Sequence, residues 1–130
     1  MEPKHTLEAV ALIRRGWAAA TSITSHLDGL RDAIPNPNAE EAPYDKYIPI
    51  NQKRIKRIRK TLAKEGLREE VNAALAGVVP GTKMLVLNEF WCGDGAQILP
   101  VHEAMEAASG GRLEVRVLMR DAHLDVMDLF

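Results

Sequence analysis

Residues 83–97 read K-M-L-V-L-N-E-F-W-C-G-D-G-A-Q, and the fold is decided by how this stretch divides. Lys83 to Phe90 form a short, mostly apolar run behind the turn pair Pro80-Gly81. That is the pattern of a buried strand. Residues 95–109 read as a helix, with Ile98, Leu99, Val101, His102 and Met105 on or near one side and Gly110-Gly111 ending it. Pro100 cannot donate a backbone hydrogen bond, so it should kink this helix or mark a restart. Residues 112–119, R-L-E-V-R-V-L-M, alternate Leu113, Val115, Val117 and Met119 with mostly polar neighbours, a second strand pattern. Residues 122–130 begin another helix, with Asp121 as its candidate cap. A strand, a helix and a strand of this length imply a parallel pair joined by a right-handed crossover, hence an α/β fold.

The junction itself is Phe90-Trp91-Cys92-Gly93-Asp94-Gly95-Ala96-Gln97. Free N–H groups and the dipole at a helix amino end favour a thiolate over a thiol. Gly93 and Gly95 let another chain or a small ligand approach the backbone, and Trp91 would cover one side of the sulfur. Asp94 suits the helix dipole; as a proton handler it would also oppose thiolate formation. Glu89 is a second candidate acid, or simply the end of a strand. His102 lies ten residues from Cys92, about 15 Å of helical rise, which makes it a poor base. The bland alternative for Cys92 is a packed thiol, since free cysteine is often buried. His5, His26 and His123 are scattered and no metal-ligand spacing is present, so no metal and no cofactor is expected. Ile98 stands where a cysteine-phosphatase loop needs arginine, and G-D-G lacks the spacing of a phosphate loop.

Upstream, residues 5–33 read as helix, in one piece or two. Val10, Ile13, Trp17, Ala20, Thr24 and Leu27 share a face at spacings of three and four. Thr6 is a candidate N-cap, with Glu8 in the first turn. This helix either packs on its own domain or pairs with a second copy. Pro35, Pro37, Pro43 and Pro49 make residues 34–49 a connector, whose Tyr44 and Tyr47 should lie down on the surface. Residues 51–65 form a basic helix with an Ile55, Ile58, Leu62 stripe, capped by Gly66. Its Lys53, Arg54, Lys56, Arg57, Arg59, Lys60 and Lys64 form either a polyanion-binding face or a solvated one. Binding of nucleic acid there would weaken steeply with salt. Residues 67–77 read as a short helix turning Leu67, Val71, Ala74 and Leu75 inward. The expected organisation is a helical segment over 1–33, a connector over 34–49 and an α/β domain over 50–130.

With 130 residues, 46% hydrophobic and 27% charged, and a formal net charge of -1, the chain suits one soluble domain. The near-neutral balance argues against a dedicated nucleic-acid or membrane-surface protein. No apolar run approaches the ~18–20 residues that span a bilayer. No basic stretch leads into an apolar run with a cleavage site, so a signal peptide is not expected. A single cysteine excludes an intramolecular disulfide and fits a reducing, cytoplasmic setting.

Strand, W-C-G-x-x, helix and strand in this order resemble the first half of a thioredoxin fold. In that family the first cysteine of W-C-x-x-C attacks disulfides and the second resolves the mixed disulfide. Cys92 matches the first, Gly95 stands at the second, and Pro100 resembles the proline of the active-site helix. Residues 44–130 are similar to a bacterial group of thioredoxin-family proteins. Members of that group carry R-x-x-R-x-x-K-T, here Arg54, Arg57, Lys60 and Thr61. They also carry W-C-G-D-[AG]-A-Q, here residues 91–97, then an arginine-aspartate step, here Arg120-Asp121, and L-x-x-M-D, here Leu124 to Asp128. The resemblance implies a thioredoxin-like βαβ core that stops after the second strand and following helix, behind N-terminal helices. The later strands of the family are absent, so the chain is a fragment, or borrows its missing edge, or does without it. An open edge invites association, and a homo-oligomer is expected.

The implied activity is monothiol thiol-disulfide exchange through Cys92, supported by Trp91, Gly93, Asp94 and Gly95. Its partners would be protein disulfides or low-molecular-weight thiols, not a membrane and not nucleic acid. The alternative is a non-catalytic thioredoxin-like binding module with a vestigial site.

Overall fold

The structure is a computed structural model that describes residues 6–130; His5 lies outside the described residues. Helix α1 (Leu7–Ala19) starts where Thr6 accepts the Ala9 N–H at 3.1 Å. The expected single face does not continue beyond it. Ala20 and Ser22 are extended, with ψ of 153° and 151°, and Thr21–Ser22 form a two-residue strand, β1. Helix α2 (Ile23–Asp32) then restarts, with Ser22 accepting the Ser25 N–H. The break resets the helical phase. Thr24 is therefore exposed, while Ile23, His26, Leu27 and Leu30 turn inward; within α1 itself the buried residues are Ala9 and Gly16, and Val10 and Ile13 are exposed.

A 3-10 turn (Asp45–Tyr47) leads into helix α3 (Ile48–Glu65), which begins before the expected position 51. Pro49 sits in its first turn, where its missing N–H costs nothing and its fixed φ is already helical. Gly66 follows with φ 71° and ψ -174°. That is a positive-φ conformation open to glycine, though not the αL well expected from the sequence. Helix α4 (Glu69–Ala76) buries Leu75, while Ala74 is exposed.

Strand β2 (Thr82–Asn88), helix α5 (Gly93–Ala108) and strand β3 (Leu113–Met119) form the expected parallel crossover. The register runs from Thr82 opposite Leu113 to Asn88 opposite Met119. β1 pairs antiparallel on the far edge of β3, with Thr21 opposite Val117, so the described strands order β1-β3-β2. Helix α5 runs through Pro100 without a restart; the buried ring forfeits one backbone bond, to the Ala96 carbonyl. Ile98 is half exposed rather than inward, and the buried face is Gly95, Ala96, Leu99 and Pro100. Helix α6 is the short Leu124–Met127, with His123 at its N-cap position. Asp121 does not cap it, because its carboxylate takes Arg120 Nη1 at 2.7 Å.

One core joins Ile23, Leu27 and Leu30 of α2 to Ile48 and Ile55 of α3, Leu99 of α5 and Val115 and Val117 of β3. The basic face of α3 is also used internally. Arg59 grips Glu103 of α5 through two bonds, at 2.9 and 2.7 Å, and Asp28 of α2 at 3.0 Å. Lys53, Lys56, Arg57, Lys60 and Lys64 remain exposed. Among the described residues, no helix is long and apolar enough to cross a membrane.

Because Leu27 is fully buried in the shared core, Leu27→Ala should lower the unfolding free energy by about 2–5 kcal/mol. Urea denaturation should show one transition shifted to lower denaturant. An unchanged midpoint would contradict the placement of α2 inside that core.

Candidate functional site

The site is assembled where β2 ends. Cys92 is the N-cap residue of α5, extended at φ -75° and ψ 116°. Its N–H closes a turn on the Glu89 carbonyl at 3.1 Å, and its carbonyl takes the first helical bond, from Ala96 N at 3.2 Å. Its backbone is thus fully engaged. Its side chain makes no capping bond among the described residues, and the residue is partly exposed.

Cys92 opens on a cleft of about 410 Å³ lined by Tyr44, Tyr47, Asn51, Arg54, Trp91, Gly93 and Asp94. Tyr44 lies against Trp91 with ring centroids 4.9 Å apart, which gives the cleft an aromatic wall. Of the two connector tyrosines, Tyr44 thus packs on the site and Tyr47 lines the same cleft, both remaining about half exposed. Asn51 is fully buried and bridges two elements. Its Nδ2 donates to the Phe90 carbonyl at 3.0 Å and its Oδ1 accepts from Arg54 Nη1 at 3.1 Å. Arg54 comes so close to the loop that a Cβ on Gly93 would sit 3.0 Å from Nη1. Among the described residues Arg54 makes no salt bridge, and its half-buried guanidinium lines the cleft together with Asp94.

The candidate acids separate. Asp94 is exposed in the first turn of α5 and lines the cleft. Glu89 is buried and its Oε1 accepts the Asp121 N–H at 3.0 Å, so it ties the ends of β2 and β3 together. Burial pushes its carboxyl above the usual range, against the opposing effect of that N–H. It does not line the cleft. Nor does His102, whose buried Nδ1 has no partner among the described residues and whose basicity burial lowers. His123 Nδ1 lies 3.0 Å from the Met119 carbonyl. Among the described residues, no group of three or more His, Cys, Asp or Glu side chains could hold a metal ion.

Behind the loop, the Asn88 side chain is buried at the end of β2, and its Nδ2 lies 2.9 Å from His26 Nε2. Burial pushes the His26 imidazole down to about 4, so it is neutral at ordinary pH and one of its tautomers accepts this bond. The His26 ring also packs on Phe90, with centroids 5.1 Å apart. A Cβ on Gly29 would come within 3.1 Å of Phe90 Cζ, so α2 and Phe90 are in close contact.

Asn51, Asn88 and His26 were not singled out from the sequence as site residues. The signal was available for two of them. Asn51 falls on the apolar stripe of Ile55, Ile58 and Leu62, and His26 falls between Ile23 and Leu27-Leu30. A polar side chain on a buried stripe needs an internal partner.

A family model described as thioredoxin matches residues 38–130. No curated protein and no solved structure matches the chain.

The pH dependence of stability reports on His26. An imidazole with a folded value near 4 and an ordinary value of 6.5 stabilises the fold fully above pH 6.5. That contribution is lost as pH falls from about 6.5 to 4, because the unfolded chain takes up the proton first. His102 acts in the same direction and Glu89 in the opposite one. Comparison of the wild type with His26→Gln isolates the His26 share. The variant should lose on the order of 2–3 kcal/mol of the pH-dependent change, measured by urea denaturation across that range. Parallel curves would show that His26 titrates alike in the folded and unfolded chain.

Proposed function

The chain belongs to the thioredoxin family, and from that premise we propose that it exchanges thiols and disulfides through Cys92 alone. The observation that carries this reading is the free, partly exposed Cys92 at the amino end of α5, lining a cleft. A thiolate there attacks one sulfur of a disulfide R–S–S–R. The old S–S bond breaks, a new one joins Cys92 to one half, and the other half leaves as a thiolate. A thiolate from solution then attacks the mixed disulfide, releases the bound half as a new disulfide and returns the Cys92 thiolate. The protein is left unchanged and no further oxidant is needed. Trp91 and Tyr44 form the aromatic wall of the cleft beside Cys92, Gly93 admits Arg54, and Asp94 and Gly95 complete the first turn.

The cleft volume lies within the ~300–1,000 Å³ of small-molecule sites, and Arg54 suits a carboxylate. The substrate class we propose is therefore a low-molecular-weight thiol or disulfide bearing a carboxylate, such as a glutathione-type peptide, in a reducing cytoplasm. The missing second cysteine favours one alternative, a thioredoxin-like module that binds protein without exchange.

Incubation with oxidised glutathione should attach one glutathione to the wild type and none to Cys92→Ser, read by intact mass. Arg54→Met should slow attachment about tenfold, the effect of one charge-assisted hydrogen bond. It should leave the rate with uncharged hydroxyethyl disulfide unchanged. An unmodified wild type would end the exchange reading. Equal slowing with both disulfides would remove the carboxylate role from Arg54.

A further inference from the structure

Gly95 stands at the position of the second cysteine in W-C-x-x-C, and the structure gives a reason why a side chain is missing there. Gly95 is helical and has no positive φ; the positive-φ glycines are Gly66, Gly81, Gly110 and Gly111. Backbone conformation therefore does not require glycine. Space does. A Cβ built on Gly95 would fall inside the Asn88 side chain, 2.7 Å from Cγ and 2.9 Å from Nδ2, with Oδ1 closer still. Real Cβ atoms essentially never come this close to a neighbour, so one partner would have to move. Asn88 is poorly placed to do so. It is 5% exposed, and its amide is held by the buried, neutral His26 at 2.9 Å. Turning it away would leave a buried donor and a buried acceptor without partners.

We infer that Asn88, positioned by His26, is the residue that restricts this site to one cysteine. It fills the space a resolving side chain would need, so a mixed disulfide on Cys92 can be released only by a thiol from outside. The inference rests on the exchange reading for that consequence alone; the exclusion itself is a packing property.

Two pairs of variants test it. Gly95→Ala in an ordinary first helical turn would be neutral or stabilising, since alanine outranks glycine in helices. Here it should lower Tm, and in the Asn88→Ala background the same change should no longer do so. Gly95→Cys should likewise lower Tm and should form little internal disulfide with diamide. Asn88→Ala combined with Gly95→Cys should form it. There, both thiols lose a proton and an electron to diamide, which becomes the hydrazine, and the protein mass falls by two hydrogens. With oxidised glutathione, the introduced thiolate in the double variant should attack the Cys92 sulfur and expel glutathione. The adduct that persists on the wild type should then be lost.

The inference is overturned if Gly95→Ala leaves Tm unchanged or raised. It is also overturned if Gly95→Cys alone closes the disulfide as fully as the double variant. The two alanine variants need no cysteine chemistry. A wild type that takes up no glutathione would therefore remove the exchange reading and leave the packing result standing.

Discussion

The structure depends on one close approach. The first turn of α5 sits directly on the end of β2, with no atom of Gly95 beyond its backbone to hold the two apart, and the Asn88 side chain fills the room this leaves. The contact sets where α5 begins. That in turn sets where the Cys92 sulfur emerges: at a helix amino end rather than inside the core.

The loop between strand and helix is fixed from more than one side. Asn51 on α3 holds the Phe90 carbonyl, His26 on α2 holds Asn88, and Glu89 reaches the turn after β3. Each of these polar groups is buried. In a low-dielectric interior a paired polar group is strongly oriented and an unpaired one is costly, so the arrangement resists local rearrangement. Cys92 is the exception. Its backbone is bonded on both sides, and its sulfur makes no hydrogen bond among the described residues. The ion network of Arg59 with Glu103 and Asp28 joins α3 to α5 and α2. Rigid surroundings around one free thiol suit the proposed exchange chemistry, in which the substrate must bring the second sulfur.

The strand–helix–strand unit was legible because its signals are local. An apolar run, a turn pair and a period-two alternation each survive in a short window, and β2, α5 and β3 lie within a residue or two of their expected bounds. The position of Cys92 followed from the same signals. The amino-terminal helix was less legible, since a two-residue extended break at Thr21–Ser22 leaves no apolar gap yet rotates everything after it. The start of α3 was hidden by Pro49, which reads as a connector residue and acts as a first-turn residue. The hardest features were pairwise. Nothing local in Asn88 or in Gly95 says that one occupies the volume of the other's missing side chain. Nothing in a run of lysines and arginines says that Arg54 lines the cleft beside Cys92 while Arg59 is spent on an ion network. Those facts appear only when the chain is folded back on itself.

The account stands on Cys92 being a nucleophile made available by the fold rather than a thiol hidden by it. The direct measurement is the rate of alkylation by iodoacetamide at neutral pH, for the native protein and for the same protein unfolded in urea. The account predicts that the native thiol is alkylated while the chain remains folded. A native thiol that stays unmodified until the chain unfolds would contradict it.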